Sequence, residues 1–152
     1  MRRRLILDGC VLGATPGQRS RARIQLHPDD DAVVAAITVA ELYRSVDAAD
    51  AHSRRLRGAL LAEVLTLLPV EPFDAEAARV LGRFLEREPG LALYDLMVAA
   101  TAVSTDRFVL TTDRRALFER LPGVRCVPLP EPRPSAAPAR SRRRAAPGTA
   151  RS

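Results

Sequence analysis

Short apolar runs alternate along the chain with longer segments in which apolar residues recur every three or four positions. The run Arg4 to Leu7 is apolar after its arginine and ends on Asp8, which predicts a short buried strand. Val11 and Leu12 predict the opening of a short helix. Thr15 to Asp31 is polar, contains Pro16, Gly17 and Pro28, and predicts no regular element. Ala32 to Ile37, with Val33, Val34 and Ile37, reads as a second strand. Thr38 then begins a helix to about Ala48, with Thr38 and Glu41 at capping-box spacing. From Ala51 to Leu68, Leu56, Leu60, Val64 and Leu67 form one helical stripe, ended by Pro69. Val70 to Phe73 reads as a short strand. Asp74 reads as the N-cap of a helix whose stripe is Ala77, Val80, Leu81, Phe84 and Leu85, stopping before Pro89-Gly90. Leu93 to Ser104 is apolar on nearly every side and predicts a buried helix. Phe108 to Leu110 predicts a strand, Arg114 to Leu121 a short helix, and Val124 to Val127 a last strand.

Strands separated by helices predict an α/β domain with a central parallel sheet over residues 1–127. After Val127 the character changes. Six of the twelve prolines lie from Pro128 onward, mixed with Ala, Ser and Arg and with no aromatic residue. Such a segment cannot bury enough surface to offset its ordering entropy, so residues 128–152 are expected to be a disordered basic tail.

Charge changes the picture less than it first suggests. The net charge of +6 over 152 residues comes from 24 basic and 18 acidic residues, and every basic residue is an arginine. The tail holds six arginines against Glu131 alone, so the domain before it is nearly neutral. The absence of lysine excludes a Walker-type phosphate loop and Schiff-base chemistry. Two cysteines, Cys10 and Cys126, and two histidines, His27 and His52, are too few for a disulfide framework or a zinc site and fit a cytoplasmic protein. Arg2-Arg3-Arg4 is followed by only three apolar residues before Asp8, so no secretory signal is expected, and no run is long enough to span a membrane.

Four acids stand out by position. Asp8 ends the first strand and Asp113 lies just past the strand Phe108 to Leu110. In parallel sheets ligands bind beyond these carboxyl ends. Asp95 interrupts the most apolar helix, where a carboxylate is costly without compensation. Glu41 lies in the first turn of a helix that follows a strand. Four convergent carboxylates are tolerated when they share hard divalent cations, Mg²⁺ or Mn²⁺. Such ions hold a phosphodiester, generate hydroxide from water and stabilise the leaving oxygen. The chemistry to which this points is metal-dependent hydrolysis of a nucleic-acid backbone.

The same residues carry a resemblance. Leu5-Ile6-Leu7-Asp8 with Val11-Leu12, Ile37-Thr38-Val39-Ala40-Glu41-Leu42, Leu68-Pro69-Val70 with Pro72-Phe73-Asp74, Asp95-Leu96-Met97-Val98-Ala99-Ala100, Leu110-Thr111-Thr112-Asp113 and Phe118-Glu119-Arg120-Leu121-Pro122-Gly123 follow one another over residues 4–127. In that order and spacing the chain resembles PIN-domain ribonucleases, and among them the VapC-type toxins of toxin–antitoxin pairs. The resemblance implies a three-layer α/β/α sandwich with a central parallel sheet. It implies a Mg²⁺ or Mn²⁺ site and catalysis by Asp8, Glu41, Asp95 and Asp113, cleavage of RNA, a homodimer, and a small cognate antitoxin. Arg114 and Arg115, next to Asp113, suit RNA phosphate contacts and equally a solvent-facing pair. The chain departs from the family where a hydroxyl residue usually follows the first acid, often with Asn or Ser next: here stand Gly9 and Cys10.

Other roles remain open for the same side chains. Glu41 also suits a capping-box partner of Thr38, Asp113 and Asp95 suit helix caps, and Asp8 suits an arginine ion pair. Asp29-Asp30-Asp31 reads as a solvated loop or a helix start. Gly9-Cys10 motivates an alternative function, a catalytically weakened PIN domain that binds RNA or a partner without cutting. Leu7-Asp8-Gly9 also suggests an acid-nucleophile phosphatase, but such folds want an Asp where Cys10 stands and a lysine that the chain lacks.

Overall fold

The computed structural model describes residues 2–12, 26–113 and 116–127. The expected tail, most of the polar segment Thr15 to Asp31, and both Arg114 and Arg115 lie outside these described residues. In chain order the elements are β1 (Arg4–Leu7), α1 (Gly9–Leu12, one turn), β2 (Asp31–Ala35), α2 (Ala36–Asp47), α3 (Ala51–Leu67), β3 (Val70–Glu71), α4 (Ala75–Arg87), α5 (Leu93–Ser104), β4 (Phe108–Leu110), a 3-10 turn (Phe118–Arg120) and β5 (Arg125–Cys126).

The five strands form one sheet of order β3-β2-β1-β4-β5, and every pairing is parallel. Alternation along the strands divides the core. Ile6, Val33, Ala35 and Val109 face one side, where they pack with Val80 and Phe84 of α4 and with Leu96, Ala99 and Ala100 of α5. Leu5, Leu7 and Leu110 face the other side and pack with Val11 of α1. Val34 joins them there with Leu42 of α2 and with Leu61 and Val64 of α3. The result is the parallel α/β sheet that the sequence pattern predicts, in the α/β/α sandwich that the resemblance implies. Short strands buried on both faces explain why their sequences read as continuous apolar runs.

Most element boundaries fall within two residues of the sequence reading, and the helix Leu93–Ser104 matches it at both ends. Three readings change. The second strand stops at Ala35, and α2 starts directly from it with Ala35 as an extended N-cap that makes no side-chain bond. Thr38 is therefore a buried residue inside the helix, and the capping box with Glu41 does not form. Of the predicted helix Arg114 to Leu121, the described part holds a 3-10 turn at Phe118–Arg120. Of the triple acid, only Asp29 is solvated, in a turn with 80% of its side chain exposed. Asp30 pairs with Arg3 at 2.5 Å, and Asp31 pairs with the buried Arg107 at 3.2 Å. Arg107 also reaches Glu71 at 3.2 Å, so one guanidinium joins residues of β2 and β3 from the start of β4. Asp74 caps α4 as expected, accepting from the Ala77 amide at 2.9 Å.

The strand order reverses beside β1. The chain runs outward through β2 and β3 on one side and through β4 and β5 on the other. At such a switch point the connections leave in opposite directions and open a crevice beyond the carboxyl ends of the strands.

Candidate active site

Asp8 is the first residue past β1, at that crevice, and is 6% exposed. Its carboxylate is fixed from three directions. Oδ1 accepts from the Gly9 amide at 2.7 Å, and Oδ2 accepts from Thr111 Oγ1 at 2.8 Å and from Cys10 Sγ at 3.0 Å. The Asp8 amide in turn donates to the Leu110 carbonyl at 3.1 Å, which ties the end of β1 to the end of β4. Among the described residues no arginine pairs with Asp8; its hydrogen bonds there come from Gly9, Cys10 and Thr111.

Thr111 serves two acids. Besides donating to Asp8, its hydroxyl oxygen accepts from the Asp113 amide at 3.0 Å, so the loop after β4 carries Asp113 back toward Asp8. Cys10 Sγ closes the arrangement by accepting from the Thr112 amide at 3.2 Å. Neither Thr111 nor Cys10 was a candidate site residue by sequence. Two threonines just ahead of Asp113, at the end of an apolar strand, were the available signal.

Glu41 comes from α2, which leaves β2 without a loop, and Asp95 from the first turn of α5, which is entered through Ala92. Asp8, Glu41, Asp95 and Asp113 all line one cavity of about 470 Å³. The four acids chosen from sequence are thus brought together. Their charges act on one another. Burial, then the charges of Asp8 and Asp95, raise the Glu41 carboxyl above its ordinary value. Burial, then the charges of Asp8 and Asp113, raise Asp95 likewise. Like charges nearby disfavour the ionised form of these two carboxyls, and a cation or a proton relieves that repulsion.

Two details concern room in this site. A Cβ built on Gly9 would stand 3.6 Å from both Glu41 Oε2 and Thr38 Cγ2, an ordinary contact, so the backbone leaves space there for a side chain. Thr38, fully buried in the same wall, has a hydroxyl with no hydrogen-bond partner among the described residues. Both features, with the mutual repulsion, suit a site built to receive a cation and its oxygen ligands. As the side chains stand, no three of the described His, Cys, Asp and Glu residues are grouped closely enough to hold a metal ion. His27 and His52 are exposed and take no part.

Comparison with known proteins decides the family. A model of the PIN domain matches residues 6–124. The chain belongs to the PIN domain family. Members of that family are in general nucleases. Solved structures similar to this PIN domain include VapBC-5, a member of the VapBC family of toxin–antitoxin systems from Mycobacterium tuberculosis. The two share 28% identity over 82% of this chain and 98% of that one, with a TM-score of 0.65. They also include DNA-bound VapBC from Salmonella typhimurium, with 25% identity over 84% of this chain and 98% of that one, TM-score 0.65. VapBC2 from Rickettsia felis, bound to a DNA fragment from its promoter, is similar in fold. It has 17% identity over 82% of this chain and 97% of that one, TM-score 0.67. These neighbours are in keeping with a VapC-type PIN domain. No curated protein matches the chain by sequence. Among the described residues no helix is long and apolar enough to cross a membrane.

Proposed function

We propose that this PIN domain is a divalent-metal-dependent endoribonuclease, the toxin of a toxin–antitoxin pair, working in the cytoplasm as a homodimer that a small cognate antitoxin neutralises. The observation that carries the reading is the convergence of Asp8, Glu41, Asp95 and Asp113 on one cavity, where burial and the neighbouring carboxylate charges raise Glu41 and Asp95. The VapBC neighbours support the antitoxin partner.

The four carboxylates would hold Mg²⁺ or Mn²⁺, which when bound supplies charge for the scissile phosphate, activation of the attacking water and stabilisation of the leaving oxygen. The protein's own part is orientation. Asp8 is oriented by hydrogen bonds from Gly9, Cys10 and Thr111. Glu41 and Asp95 supply negative charge from two helices fixed by the core. Asp113 is brought in on a loop whose position Thr111 shares with Asp8. Residues 128–152 form a separate basic tail in this reading, and Arg114 and Arg115 contact RNA phosphate.

Purified protein is expected to cleave single-stranded RNA with Mg²⁺ or Mn²⁺, to stop with EDTA, and to resume when the metal is restored. Cleavage that persists in excess EDTA overturns the reading. A second reading is a binding module without cleavage, favoured by Gly9 where relatives place a hydroxyl. It predicts no cleavage and no heat on titration with Mn²⁺. The support that Thr111 and Cys10 give Asp8 favours the active enzyme, because the first acid is oriented without a hydroxyl at position 9.

A further inference from the structure

The cavity that holds the acids is also lined by two cations, Arg44 and Arg57. Arg44 lies three residues beyond Glu41 on α2, close enough for its charge to act on that carboxyl. Arg57 comes from α3. Its Nη1 donates to the Ser45 carbonyl at 2.7 Å, which anchors the guanidinium at the rim and leaves other donors of the fork for a ligand. The Arg44 guanidinium also stands 5.6 Å from the ring centroid of Tyr94. Tyr94 immediately precedes Asp95 and is 38% exposed; Leu93 before it is 52% exposed. Tyr94 therefore presents ring surface to solvent one residue from an acid of the site, with a cation stacked beside it.

Tyr94 belongs to none of the buried clusters, and Arg44 and Arg57 make no ion pair among the described residues, although the Arg57 bond to Ser45 also ties α3 to α2. A polyanion crossing an acidic cavity needs positive charge of this kind, because neighbouring phosphates lie outside the cation site. An exposed ring with a stacked guanidinium is also the platform on which an unpaired base rests, and a base inside a duplex has no face to offer it.

The geometry points to Tyr94, Arg44 and Arg57 as the residues that position the RNA at this site. A base next to the cleaved bond stacks on Tyr94, and the flanking phosphates lie on Arg44 and Arg57. This rests on the nuclease reading and names the side chains that hold its substrate.

The test uses the full chain carrying Asp8→Asn to stop cleavage, with Mg²⁺ present and a short fluorescein-labelled single-stranded RNA read by anisotropy. Adding Tyr94→Ala is expected to weaken binding by roughly 5- to 100-fold, and adding Tyr94→Phe to change it by less than about twofold. Arg57→Gln is expected to weaken binding and to lower the slope of log affinity against log salt by about 0.7, the loss of one phosphate contact on a single strand. The same RNA annealed to its complement is expected to bind more weakly than the single strand. In the Asp8-intact background, Tyr94→Ala should raise KM for cleavage with kcat nearly unchanged. Unchanged binding in these variants overturns the proposal, as does duplex RNA bound as tightly as single-stranded RNA. So does a Tyr94→Ala protein whose sedimentation shows a changed oligomeric state with RNA binding intact, which would make the patch an interface between copies. If the wild-type chain cleaves RNA while the variants bind normally, only this inference fails. If the chain never cleaves RNA while Tyr94→Ala still weakens binding, the nuclease reading fails and the contact stands.

Discussion

The hydroxyl of Thr111 and the thiol of Cys10 meet at one oxygen of Asp8, and this shapes what single substitutions should do. Removing a group that orients a metal-binding carboxylate costs about 10–100-fold in metal affinity or activity. Thr111→Ala is expected to fall in that range by RNA cleavage, because it frees both Asp8 and the Asp113 amide. Cys10→Ser keeps a donor and should cleave nearly as the wild type does, whereas Cys10→Ala should be slower. Glu41 gives a pH signature. Its carboxyl is raised by burial and by Asp8 and Asp95, so its ionised form opposes folding. That penalty is fully present at neutral pH in EDTA. It is relieved as pH falls through the raised value and is gone below the ordinary glutamate value of 4.5. Glu41→Gln should therefore be more stable than the wild type at pH 7 by about 1 kcal/mol or less, since solvent screens a half-exposed group. Urea unfolding at pH 7 and below pH 4.5 checks this, with the gap closing on acidification. Asp30 has the opposite sign. Its hydrogen bond from Arg3 holds it at about 2, so its contribution is present above the ordinary carboxylate range and is lost as pH falls toward that value. The positions of the four acids were legible because strand ends and an apolar helix make a carboxylate conspicuous. Their supports were not, since a threonine at a strand end and a lone cysteine look ordinary until the two loops meet.

Among the elements, α5 was read correctly from sequence because a helix apolar on nearly all sides has no competing interpretation. It packs on α4, and Phe84, 2% exposed, fills the space between those helices and the sheet. Phe84→Ala should cost about 3–5 kcal/mol in urea unfolding. A cost below about 1 kcal/mol would mean that this layer is not packed as described. The start of α2 was misread for a physical reason. The apolar run continues without a break from strand to helix, and Ala35 caps the helix through its backbone alone, so the spacing of Thr38 and Glu41 imitated a capping box. The direct junction serves the site: with no loop after β2, Glu41 is carried on the second turn of a helix rooted in the sheet. In α3, Leu61 and Val64 face the core, while Leu56 and Leu67 at the ends of the predicted stripe are 63% and 67% exposed. The stripe was real in sequence and only its middle is core.

For the whole molecule, topology joins residues far apart in the chain. Asp8 and Asp113 meet because β1 and β4 are neighbours, and the order reversal beside β1 opens the crevice where they stand. Sequence suggested that edge from strand ends alone, but the neighbourhood of Arg44, Arg57 and Tyr94 depends on how α2, α3 and α5 converge, which no local pattern encodes. Charge is likewise a matter of placement: most of the +6 belongs to the last 25 residues. A chain ending at Val127 is therefore expected to keep its melting temperature and its metal-dependent cleavage. Loss of the folded transition on truncation would show that the tail belongs to the domain. The most direct measurement of the central claim is the rate of RNA cleavage against Mn²⁺ concentration for the wild type and for Asp8→Asn, Glu41→Gln, Asp95→Asn and Asp113→Asn. The account predicts saturable dependence on Mn²⁺ in the wild type and a loss of about 100-fold or more in each variant, with native circular dichroism retained. Variants that cleave as the wild type does, or wild-type cleavage indifferent to Mn²⁺, would contradict it.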